Sequence, residues 1–73
     1  MRPSSRVTTS LQKENSTILY LESTKGFEVG DLCRIDSNLI HNYYTVWSVT
    51  EEYVEVTPKA VGIDSYPIVD FGK

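Results

Sequence analysis

Enzymatic chemistry needs a nucleophile, a base or a metal cage within reach of a substrate. The residues to weigh first are therefore the single cysteine, Cys33, and the single histidine, His41. A thiolate–imidazole pair could attack a carbonyl, but neither residue lies in a local pattern that belongs to such chemistry. Cys33 falls inside the alternating run Leu-Cys-Arg-Ile-Asp, where an unpaired cysteine reads as a small buried hydrophobe. His41 lies in the polar stretch Ile40-His41-Asn42 and reads as a solvated loop residue. One Cys and one His, with no Cys-x-x-Cys pair, do not compose a zinc site. Asp31, Asp36, Asp64 and Asp70 lack calcium-loop spacing, and Gly26 and Gly30 lack the lysine and the following helix of a phosphate loop. The hydroxyls of Ser4, Ser5, Thr8, Thr9 and Ser10 have no base beside them in the sequence. The expectation is a protein that is not an enzyme, with no catalytic residue, no metal, no cofactor and no small-molecule substrate.

Side chains that make contacts are more prominent. The chain has five Tyr, two Phe and one Trp among its 73 residues. Tyr43, Tyr44, Trp47 and Tyr53 fall on what reads as one hairpin. Period-two alternation puts Tyr44 and Val46 on one face, opposite Val54 and Val56, and this face is the expected core. Tyr43, Thr45, Trp47 and Val49 then share the outer face with Tyr53, Glu55 and Thr57. Trp and Tyr are enriched at interface hot spots, so Tyr43, Trp47 and Tyr53 are candidate docking residues. Aromatic rows also stack nucleobases, but Glu51, Glu52 and Glu55 flank this one and would repel phosphates.

Elements that could position these residues are short strands. The mixture is rich in Val, Ile, Thr and Tyr, with one Ala, Ala60. Such side chains suit a pleated surface and lose rotamer freedom in a helix. Strands are expected over residues 17–23, 32–36, 43–50, 53–57 and 66–71, with a hairpin turn at residues 50–52. Ile18 and Tyr20 alternate with Leu19 and Leu21, so the first of these strands is apolar on both faces. Val46, Val54, Val56 and Ile35, with Ile18 or Leu19, make the expected core. Gly30 supplies a positive φ in a turn. Residues 37–42 read as a loop containing Leu39 and Ile40, and residues 59–61 as a possible helical turn. Pro58 closes one strand, and Pro67 suggests an edge position for the last, because proline has no N–H for the ladder. The fold class expected is all-β: a five-stranded barrel or compact sandwich, Src-homology-like, over residues 16–73.

Residues 1–15 differ from this body. They are rich in Ser and Thr, hold Val7 and Leu11 as their sizeable apolar residues after Met1, and set Arg2, Arg6 and Lys13 against Glu14. The whole chain carries a formal charge of -3, so a weakly basic segment precedes an acidic body. The expectation is a flexible arm, frayed or docked on a neighbour through Val7 and Leu11. The acidic balance speaks against nucleic acid as a partner. No apolar run approaches the ~18 residues of a membrane span. No apolar stretch follows Arg2 and Arg6 as in a signal peptide, and a lone cysteine suits a reducing compartment.

Three segments carry a resemblance. They are Ile18-x-Tyr20-x-x-Ser23; Gly26-Phe27-x-Val29-Gly30-Asp31-x-x-x-Ile35; and Tyr44-Thr45-Val46-x-Ser48-Val49-Thr50 with Tyr53-Val54-x-Val56. Together they are similar to small β modules of tailed-bacteriophage virion proteins: head–tail connectors, tail-completion proteins and baseplate components. The resemblance covers residues 17–57. It implies a structural protein, made in the host cytoplasm and located in the virion, whose partners are other virion proteins and copies of itself. The alternative is a small-barrel adaptor that binds a peptide or nucleic acid in a cellular complex.

Overall fold

The computed structural model describes residues 1–37 and 41–73, and at His41 the backbone alone. Six strands run in chain order: β1 (Ser4–Gln12), β2 (Thr17–Leu21), β3 (Leu32–Asp36), β4 (His41–Val49), β5 (Tyr53–Thr57) and β6 (Pro67–Gly72). They pair antiparallel in the order β1-β2-β5-β4-β3-β6, and β6 closes on β1 to make a barrel. The chain is all-β, with no helix among the described residues.

The sixth strand is the one that hydropathy missed. Residues 4–12, expected as part of a flexible arm, form β1 and line the barrel on both sides. Val7 pairs with Leu21 and Gln12 with Thr17 on one flank; Ser4 pairs with Val69 and Arg6 with Pro67 on the other. Val7 alone enters the core, fully buried. The strand's other inward positions are polar and are met by hydrogen bonds. Ser10 Oγ donates to Asp64 Oδ1 at 2.7 Å, and Gln12 Nε2 donates to the Ala60 carbonyl at 2.5 Å. A segment held by its backbone and by polar contacts to a loop leaves no apolar periodicity to read. The boundary expected after residue 15 falls at the turn between β1 and β2, two paired strands.

That loop, residues 59–65, closes one end of the barrel. Ala60 and Ile63 are buried in the core. The buried Thr17 hydroxyl holds the loop, donating to the Ala60 carbonyl at 3.2 Å and accepting from the Ala60 N–H at 2.8 Å. No helical turn forms at residues 59–61. Pro67 does not mark a sheet edge. It occupies the first position of β6, opposite Arg6, where a missing N–H is tolerated.

The expected core is present. Val46, Val54, Val56, Leu19 and Ile35 are all buried, and Leu19 rather than Ile18 joins the central cluster. Each such side chain contributes about 1.5–3 kcal/mol on burial. β3 and β5 have the bounds expected of them. β4 begins earlier than expected: His41 and Asn42, read as loop, pair with Asp36 and Ile35. The expected loop residues Asn38, Leu39 and Ile40 lie outside the described residues.

One irregularity changes which side chains face out. Val46 pairs with Val56, but Ser48 pairs with Glu55 and Val49 with Val54, so Trp47 is an extra residue in β4. This β-bulge shifts the alternation by one. Val49, expected outside beside Trp47, packs against the core instead.

Turn residues of the resemblance motif are explained by the fold. Gly26 has φ +89°, and a Cβ there would lie 2.6 Å from Pro3 Cγ. Phe27 is buried in the core. Gly30, at φ +91°, donates its N–H to the Val46 carbonyl, and the Asp31 carbonyl accepts from the Val46 N–H. The motif thus plugs the barrel beside the β4 bulge.

Candidate interaction faces

The aromatic residues expected to form one docking row are distributed over three places. Tyr43 and Phe71 meet edge-to-face, with centroids 5.9 Å apart, on the outer surface of β4 and β6. Two guanidinium groups flank Phe71: Arg2 lies 4.4 Å and Arg34 5.1 Å from its centroid. Each is within cation–π range. Arg34 is fixed further by a fork on Asp36, with Nε–Oδ1 2.5 Å and Nη2–Oδ2 3.1 Å. Hydrogen bonds to Asp36 and Tyr43 raise the Arg34 pKa above its ordinary value and hold it charged. Tyr43 and Leu32 remain exposed beside this cluster.

Tyr53 stands elsewhere. It is half-buried and packs edge-to-face on Tyr20, centroids 5.4 Å apart, across the β2–β5 pair. Trp47 is 66% exposed and borders a groove of about 260 Å³ with the β1–β2 turn and β5. The two residues expected to anchor an arm separate as well. Val7 is in the core, so it cannot insert into another subunit from this structure; Leu11 is exposed on β1. Sequence reasoning missed Phe71, Arg34 and Arg2 as members of the Tyr43 cluster. Alternation could have placed Arg34 outside, but only the β3–β6 pairing brings Phe71 to it.

Cys33 and two carboxyl groups are held inside. Cys33 is fully buried, and burial, with Asp70 and Asp31 nearby, pushes its thiol up to about 12. Such a thiol is not a nucleophile at neutral pH. Asp31 and Asp70 are buried together at the β6 end of the barrel. Asp31 Oδ2 accepts the Glu28 N–H at 3.1 Å, and Asp70 Oδ1 accepts the Gly72 N–H at 2.6 Å. No donor among the described residues reaches Asp70 Oδ2. Burial raises the Asp70 pKa to about 6, and the neighbouring Asp31 carboxyl adds to the shift. No group of three or more His, Cys, Asp or Glu among the described residues is placed to hold a metal ion.

No protein-family model matches the chain, and no curated protein or solved structure is significantly similar to it.

Proposed function

We propose that this chain is a non-enzymatic structural protein of a phage virion, docking onto neighbouring subunits at the head–tail connector or tail through the outer face of β3, β4 and β6. The observation that carries the docking role is the cluster of Tyr43 and Phe71 between Arg2 and Arg34, with Leu32 exposed beside it. Aromatic residues and arginine are the types enriched at interface centres. Here the rings and Arg34 are already packed or paired, which lowers the ordering cost of binding. Barrel closure favours recognition through side chains, because strand addition needs an exposed sheet edge. The inert Cys33 thiol agrees with a role without chemistry. The virion setting rests on the resemblance over residues 17–57, and the partners are copies of this chain and other virion proteins.

Co-expression with the products of adjoining genes tests this reading. The chain should co-purify in a complex of fixed stoichiometry, measured by light scattering, with products that build a capsid or tail. A chain that stays monomeric with every such product would overturn it.

A further inference from the structure

We propose that the groove beside the β4 bulge is a binding site for a pyranose sugar, with the Trp47 indole as its stacking platform. This site is separate from the Tyr43–Phe71 face. Trp47 is the extra residue of the bulge and projects into solvent, and bulges recur beside functional sites. Its opposing wall is built from Lys13, Glu14 and Asn15 of the β1–β2 turn and from Glu55 and Thr57 of β5.

The polar wall is fixed before any ligand arrives. Glu55 Oε2 accepts from Ser16 Oγ at 2.5 Å and lies 3.6 Å from Lys13 Nζ, with its side chain only 14% exposed. Thr57 Oγ1 donates to the Asn15 carbonyl at 3.2 Å and ties the turn to β5. The groove, about 260 Å³, is below the ~300–1,000 Å³ typical of drug-sized pockets and suits a small ring.

The chemistry of the lining selects the ligand class. A bound cation would meet Lys13, and a bound anion would meet Glu14 and Glu55. A nucleotide could stack on the indole, but its phosphates would face the same carboxylates. A neutral ring bearing vicinal hydroxyls uses both kinds of group, because each hydroxyl donates and accepts. Neighbouring hydroxyls can donate to Glu55 and accept from Lys13 or the Asn15 amide. The C–H face of a pyranose, with its partly positive hydrogens, matches the negative face of the indole ring.

Trp47 is the only tryptophan in the chain, so its fluorescence reports on this groove alone. The experiment titrates the intact protein with glucose, galactose, mannose, N-acetylglucosamine and β-1,4-linked tetramers of glucose and N-acetylglucosamine. Amide and indole N–H shifts are followed in parallel. At least one sugar should give a saturable change in emission at millimolar concentration, with shifts at Trp47, Asn15 and Glu55. Trp47→Ala should abolish those shifts without lowering the melting temperature, and Trp47→Phe should keep weakened binding. A Tyr43→Ala/Phe71→Ala variant should bind sugar as the wild type does, which separates this site from the docking face. The absence of a saturable response to every sugar would overturn the proposal, as would undiminished binding by Trp47→Ala.

Discussion

At Asp70 the fold holds a carboxyl where its charged form is disfavoured. Its folded pKa, about 6, exceeds the ordinary 3.8. Between those values the folded chain keeps a proton that the unfolded chain has released, so this group's contribution to stability falls as pH rises through the window. Asp70→Asn removes the charge, keeps an acceptor for the Gly72 N–H and offers a donor to Asp31. The variant should therefore be more stable than wild type at about pH 8, and the gap should close towards about pH 4. Melting temperatures of both proteins across this range check it; a gap independent of pH would show that Asp70 is not the group that titrates. Two packing positions give simpler expectations. Val54→Ala empties part of the core and should cost on the order of 1–3 kcal/mol in denaturant unfolding. Gly26→Ala meets both a positive φ and the Pro3 ring, and should destabilise by more than the ~1 kcal/mol of an ordinary loop substitution. Valine positions of this kind were legible in the sequence, because alternation marks them. The Asp31–Asp70 pair was not, because the two residues are far apart in the chain and meet only when β6 packs beside β3.

Strands differ in how far the sequence discloses them. β3 and β5 alternate cleanly and are bounded by turn residues, so their limits could be read directly. β1 could not. Its inward positions are Val7 and then polar residues bonded to the 59–65 loop, and its stability comes from pairing with β2 and β6. The β4 bulge was hidden for another reason: Trp47 faces outward with or without it, and the change of side falls on Ser48 and Val49. The role of β1 gives a direct prediction. In the isolated chain, amides from Val7 to Leu11 that bond to β2 or to the loop should be strongly protected from hydrogen exchange. Deleting residues 1–12 should abolish cooperative unfolding, since it opens the barrel and exposes Leu19, Leu21 and Ile68. A folded, cooperative truncated chain would mean that β1 is dispensable to the barrel.

The molecule as a whole measures 25 × 24 × 20 Å. A body of this size buries only about 60% of its unfolded surface and gains from association. Its closed hydrogen-bond ladder leaves side chains on the barrel wall, rather than a sheet edge, to meet a partner in the docking proposal. Composition made the all-β character legible, while the separation of Tyr43, Trp47 and Tyr53 into three neighbourhoods depends on strand order. The docking claim is tested most directly by light scattering on wild type and on Tyr43→Ala/Phe71→Ala, each alone and with the partner that co-purifies. The account predicts that the variant keeps the wild-type circular dichroism spectrum and loses association with itself and with the partner by at least about tenfold in Kd, equivalent to about 1.4 kcal/mol. A folded variant that assembles as tightly as wild type would contradict it.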